Sequence, residues 1–293
     1  MKKKILLILL ALFLTGSFCQ AQVKGLPKKQ KQEQAKPKPK PKPKPKPKQE
    51  QSKPKPEPKP VVTPKYPEMV YVEGGTFTMG CSHEDGKDCW NIERLPHKVT
   101  VGSFSIGKYP VTVSEYRYYC EQTGIDMPED PHMFGWKDNH PIFKVSWDDA
   151  QGYVKWLSRE TGKNYRLPTE AEWEFAARGG NQSRGYLYSG SNNMDEVCWH
   201  DENGTKPVGQ KKANELGLYD MSGNVREWVN DWFDYYQNNP SGDPSGPSSG
   251  SSRVTRGNNY YEGGAKCRVT FRDLADPNSR NNCCIGIRVV LEP

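Results

Sequence analysis

The chain has 293 residues, with 42 Lys plus Arg against 35 Asp plus Glu and a formal charge of +7. Lys2, Lys3 and Lys4 hold +3, and residues 22–65 hold 15 lysines against 3 glutamates, so residues 66–293 are left at −8. An acidic folded part argues against a nucleic-acid groove and suits a protein that holds a cation.

A basic start, Met1-Lys2-Lys3-Lys4, runs into an apolar stretch from Ile5 to Leu14 that is short for a bilayer span. This is the layout of a secretory signal, with cleavage expected after Ala21. Cys19 offers a second reading, a lipid anchor, which the bulky Phe18 before it disfavours. Residues 22–65 alternate Lys and Pro from Lys36 to Lys48 and offer no apolar face to bury. They read as a disordered polyproline-II tether reaching about 3 Å per residue. A solvated spacer is the simpler reading; contact with an anionic surface is the alternative. The layout implies an exported protein of the periplasm or cell surface.

Residues 66–293 are enough for a single domain. Val70–Val72, Phe77–Met79 and Lys98–Val101 are short β-prone pieces between glycines. A weak helix is expected from Ser114 to Cys120. Ser146 followed by Asp149 reads as a helix start, with Ala150, Tyr153, Val154 and Leu157 at helical spacing and Gly162 as the stop. Thr169 with Glu172 forms a second capping box ahead of Trp173, Ala176 and Ala177, closed by Gly179-Gly180. The Ser/Gly/Pro stretch from Ser241 to Ser252 reads as a surface loop. The expected product is an irregular, loop-rich α+β domain stapled by disulfides or calcium.

Beyond Ala21 there are seven cysteines, an odd number, so at least one is unpaired within the chain. Cys81 and Cys89 are placed to staple a loop. A zinc site from Cys81, His83 and Cys89 matches no tight ligand spacing. Adjacent Cys283 and Cys284 each call for a distant partner. His83, His97, His132, His140 and His200 read as incidental loop residues. Trp173, Trp228, Trp232 and Tyr219 read as core aromatics rather than a sugar-stacking shelf.

Gly74–Gly80, Val145–Ala150, Tyr165–Glu174, Gly217–Trp228, Arg256-Gly257, Cys267-Arg268, Arg272 and Gly286–Val290 follow one another in an order that resembles the formylglycine-generating enzyme, or sulfatase-modifying factor, family. The resemblance implies a C-type-lectin-like fold and, in the active enzymes, a cysteine pair with four residues between that binds Cu(I) and oxidises a cysteine of a sulfatase precursor. The second cysteine falls on Cys267 and the first on Glu262, so the copper pair is broken, and one thiolate is a poor Cu(I) site. The resemblance also implies structural calcium held by Asp220 and Glu227 side chains with the Gly223 and Val225 carbonyls, and a second calcium near Asn193 and the Met194 carbonyl. For Glu227 the alternative is a carboxylate serving a helix or an arginine. The expected function is therefore a non-oxidase envelope module binding an envelope protein or a polysaccharide, with a formylglycine-generating oxidase acting on a sulfatase precursor as the alternative.

Overall fold

The structure is a computed structural model that describes residues 66–81, 89–130, 135–237, 241–242, 244–280 and 284–293. The chain divides into two units, Met1–Lys59 and Pro60–Pro293, and all described residues belong to the second. The signal, the tether, His83, His132 and Cys283 lie outside the described residues.

Eleven strands form three small sheets among the described residues. The first joins β1 (Met69–Val72), β4 (Phe104–Gly107), β11 (Val290–Leu291) and β5 (Tyr165–Arg166) in that order. The second is β10 (Ile285–Ile287), β6 (Arg226–Trp232), β8 (Arg253–Arg256) and β9 (Arg272–Ala275). The third is β2 (Gly75–Met79), β3 (His97–Val101) and β7 (Ser241–Gly242). Its last strand differs from the loop expected there: two extended residues pair in parallel with Val99 and Thr100. The loop-rich α+β character expected of this composition is thus the observed one.

Each main helix begins where its side chains can satisfy the free N–H groups of the first turn. Helix α2 (Trp147–Thr161) starts at Ser146, whose Oγ accepts from the Asp149 N–H while the Asp149 carboxylate accepts from the Ser146 N–H. It ends at Gly162, which takes the left-handed conformation at φ 69° that closes a helix without a Cβ penalty. Helix α3 (Glu170–Ala177) has the same box at Thr169 and Glu172. Helix α1 runs Val113–Thr123, longer than expected, because Thr112 and Glu115 form a third capping box. A short α4 (Met194–Val197) adds to the expected helices.

Two hydrophobic clusters anchor these elements. Tyr116, Tyr119, Tyr153 and Trp156 pack α1 on α2, their ring centroids 5.2–5.8 Å apart, beside Ile142, Ile285 and Ile287. Ala171, Trp173, Phe175 and Ala176 of α3 pack on Val99, Phe104, Val254 and Val290. All eight residues of α3 are buried, including three glutamates. A helix wrapped by protein on every side must pair its charges, and this requirement shapes the interior around it.

Candidate functional site

The backbone at Cys267 closes a short 3-10 turn, Gly264–Lys266. Its sulfur is bonded to that of Cys198, the residue that ends α4, 69 positions earlier. Both are fully buried. The motif gives Cys267 no second thiol beside it, and the structure makes it a structural disulfide cysteine: the partner lies outside the motif and reaches Cys267 through the fold of α4. A thiolate is the Cu(I)-binding form of cysteine, so in the disulfide neither sulfur fits as a Cu(I) ligand. Cys81 and Cys89 are joined as expected, which removes both sulfurs from any zinc set.

Glu262, at the other copper position, faces Lys266 at 3.1 Å. The Asn259 carboxamide oxygen accepts from the N–H groups of Tyr261 and Glu262 and holds this turn. Asn258 Nδ2 donates to the carbonyls of Glu262 and Gly263 and to Cys267 Sγ at 3.3 Å. Around the disulfide three buried polar atoms have no hydrogen-bond partner among the described residues: Asn258 Oδ1, Glu262 Oε2 and Trp199 Nε1. Lys266 Nζ also lies 5.4 Å from the ring centre of Trp90, which is half exposed. The patch therefore holds unpaired polar atoms beneath its surface and shows an aromatic edge, with its sulfur held in a disulfide.

The residues of the first calcium set do not fit the ion together. Asp220 comes nearest to the requirement: it is buried in a turn at φ 57°, its Oδ2 accepts from the Gly209 N–H, the Asn224 side chain lies beside it, and Oδ1 makes no well-formed hydrogen bond among the described residues. Burial pushes its carboxyl up to about 6. Glu227 does not meet it, because Arg288 donates to both carboxylate oxygens at 2.8–3.1 Å and Trp173 Nε1 donates to Oε2 at 2.6 Å. A hard cation would have to displace a buried guanidinium there. Gly223 and Val225 contribute the turn itself, with Gly223 at φ 95° against the Trp199 carbonyl, where any Cβ would clash. At the second set, Asn193 caps α4 by accepting from the Asp195 N–H, and the Met194 carbonyl accepts from the Cys198 N–H. Both oxygens are engaged by the helix itself. Among the described residues no three His, Cys, Asp or Glu side chains converge as metal ligands.

The Glu227–Arg288 pair belongs to a wider lattice that no sequence motif announced. Arg272 grips Glu170 through two bonds of 2.7 Å. Arg268 grips Glu93 through two of 2.8 Å, and Thr270 Oγ1 adds a third at 2.7 Å. Arg256 pairs with Glu174, which also accepts from Arg178 and from the Gly80 N–H at 2.9 Å each. Burial alone would raise the Glu174 carboxyl, and the two guanidiniums hold it below its ordinary value instead. The lattice ties α3 to β6, β8 and β9 and to the N-terminal segment. The one available signal for it is the alternation Glu170, Glu172, Glu174 within an apolar helix.

Trp173 and Trp228 are core residues as expected. Trp232 instead forms one face of a sandwich in which the Arg253 guanidinium lies 3.5 Å from its ring centre and 3.8 Å from that of Trp147. Tyr219 stacks on Tyr109 at 5.2 Å. His200 sits between Asp201 at 2.8 Å and Asp195 at 3.7 Å, His140 meets Thr205 at 2.9 Å, and His97 starts β3 rather than lying in a loop.

Small sheets, two amphipathic helices and a buried arginine–carboxylate lattice define a loop-rich α+β domain held together by polar as well as apolar contacts. The chain belongs to the sulfatase-modifying factor family: the family model described as "Sulfatase-modifying factor enzyme 1-like domain" matches residues 53–293. It is 35% identical over 218 residues to "Chaperone protein LppX" of Paenibacillus barcinonensis, covering 56% of this chain and 71% of that one. It is 36% identical over 168 residues to the "Formylglycine-generating enzyme" of Streptomyces coelicolor, where the match takes 49% of this chain and spans half of the relative. The solved structure of PvdO from Pseudomonas aeruginosa superposes with a TM-score of 0.67 at 32% identity, covering 78% of this chain and 95% of the other.

Proposed function

We propose that the chain is an exported, non-oxidase member of the sulfatase-modifying factor family, used as a binding or structural module of the cell envelope. The observation that carries this reading is the state of the two copper positions. Cys267 is bonded to Cys198, and Glu262 stands in place of a cysteine and faces Lys266. Soft Cu(I) asks for two free thiolates, and this geometry supplies none. Export rests on the basic and apolar start of the sequence, and the Lys-Pro tether would hold the domain away from its attachment.

The test is to load the purified full chain with Cu(I) under mild reductant and to incubate it with a Cys-x-Pro-x-Arg peptide and oxygen. The expected results are no stoichiometric copper uptake and an unchanged peptide mass. Tight one-to-one Cu(I) binding, or loss of the cysteine mass, would overturn the proposal in favour of the second reading, an oxidase acting on a sulfatase precursor. That reading draws on the Streptomyces relative named a formylglycine-generating enzyme.

A further inference from the structure

On elements separate from Cys267, a cavity of about 380 Å³ opens between the start of α3, the end of β6 and the segment 244–247. His97, Glu170, Asp231, Tyr235, Tyr236 and Arg272 are among its lining residues. Asp231 is 96% buried, since only 4% of its surface is exposed. Its Oδ2 accepts from the Glu170 N–H at the first turn of α3, at 2.9 Å. Its Oδ1 accepts from no group among the described residues and faces Gly246, where an added Cβ would stand 3.2 Å from that oxygen. An oxygen of a largely buried carboxylate that no protein group satisfies, opening on a cavity, can take a donor from outside the chain.

The other polar groups described at the cavity are one further open acceptor and donors already engaged by the protein. His97 Nδ1 lies 3.0 Å from the Leu95 carbonyl, an acceptor, so the proton sits on Nδ1 and Nε2 is left as a bare acceptor. The Tyr236 hydroxyl donates to Glu170. The Arg272 guanidinium is directed at Glu170 and at the carbonyls of Ile92 and Asp234. The cavity thus presents acceptors and aromatic rings, and its one guanidinium is already engaged. A divalent metal is not the match, because no three ligating side chains converge among the described residues.

We propose that this cavity binds a primary alkylammonium group, such as a lysine side chain or a small free amine, with Asp231 as the counter-ion and Tyr235 and Tyr236 as the wall along the alkyl stem. An ammonium is a three-way donor that suits several acceptors and gains from nearby rings. Binding is coupled to the proton on Asp231. Burial, and then the Glu170 carboxylate, push that carboxyl up to about 8. Glu172 and Asp234 add negative charge around it, Arg253, Arg256 and Arg272 oppose them, and His97 and Tyr236 complete the titratable surroundings. A carboxyl protonated below about 8 is neutral at pH 6 and cannot pair with the amine, so affinity falls as pH falls.

The test titrates the full chain calorimetrically with n-butylammonium and with Nα-acetyl-lysine methylamide, at pH 9 and pH 6, beside the uncharged Nα-acetyl-norleucine methylamide and free glucose. The expected result is saturable binding of at least one amine at pH 9. It should weaken tenfold or more both at pH 6 and in Asp231→Asn, which keeps an acceptor for the Glu170 N–H. Tighter binding of butylammonium assigns the site to free amines, and tighter binding of the lysine derivative assigns it to a peptidyl lysine. Absence of amine binding at pH 9, equal binding of norleucine, glucose binding in its place, or pH-independent amine binding would each overturn the proposal. All four are read on the wild-type chain, so the proposal can be overturned even if Asp231→Asn folds poorly. None of these outcomes depends on copper, so failure here leaves the non-oxidase reading standing, and the reverse holds as well.

Discussion

Around Trp173 and Trp228, the carboxylates of Glu93, Glu170, Glu174 and Glu227 each meet a guanidinium, from Arg268, Arg272, Arg256 and Arg288 respectively. Around Cys267, by contrast, Asn258 Oδ1, Glu262 Oε2 and Trp199 Nε1 are buried with no hydrogen-bond partner among the described residues. In the first region every one of these carboxylates is paired, and the polar atom left over is a donor, Arg256 Nε, which makes no hydrogen bond among the described residues. The second keeps polar atoms unpaired beneath its surface, on a turn held by a disulfide. In one small domain, then, fold maintenance and the family's reactive position are carried by different chemistry.

The largest expected effect breaks the paired side. Arg288→Met should leave the Glu227 carboxylate buried with only the Trp173 N–H as donor, at a cost of about 3–5 kcal/mol. Urea unfolding followed by tryptophan fluorescence measures it. A cost below about 1 kcal/mol would mean that the lattice is not holding the fold, and that Glu227 is free to do something else, calcium binding included.

The next effect tests the other side. The Cys198–Cys267 bond closes a loop of 69 residues, for which the chain-entropy relation gives about 4 kcal/mol. Cys81–Cys89, with a separation of 8, gives about 2.5 kcal/mol. Cys198→Ala should therefore lower stability more than Cys89→Ala, as read in the same unfolding assay without reductant. Equal losses would show that the long cross-link is not formed in solution, and Cys267 would return as a free thiol.

What the sequence makes legible follows the range of the interaction. Ser146 with Asp149 and Thr169 with Glu172 announce their helices because a capping box is complete within four residues. Thr112 with Glu115 carries the same signal, and it marks the true start of α1 ahead of the expected Ser114. The Cys81–Cys89 staple is legible for the same reason. Glu227–Arg288 spans 61 positions, Glu93–Arg268 175, and Cys198–Cys267 69, and no local pattern names such partners. The copper positions fall on Glu262 and Cys267 by motif alone, yet the pairing of Cys267 depends on where α4 comes to rest. Asp231 gives no sign at all: in the sequence it is one acidic residue among many, and only the third dimension shows a carboxylate oxygen opening on a cavity.

The smallest expected effect falls on Glu262, and it sharpens the contrast most. Its pair with Lys266 joins two side chains that each keep about a quarter of their surface exposed, 25% and 23%. Partly exposed pairs of this kind contribute about 0–1 kcal/mol. Glu262→Gln loses that attraction, but it also relieves the burial of Oε2, which has no hydrogen-bond partner among the described residues. The two changes oppose each other, so the variant should unfold within about 1 kcal/mol of the wild type in the same urea assay. A loss as large as that of Arg288→Met would place Glu262 inside the lattice, with a structural duty that explains why a carboxylate occupies a cysteine position. A near-neutral result leaves the residue as what the geometry makes it, a polar group on a turn whose removal the fold does not register.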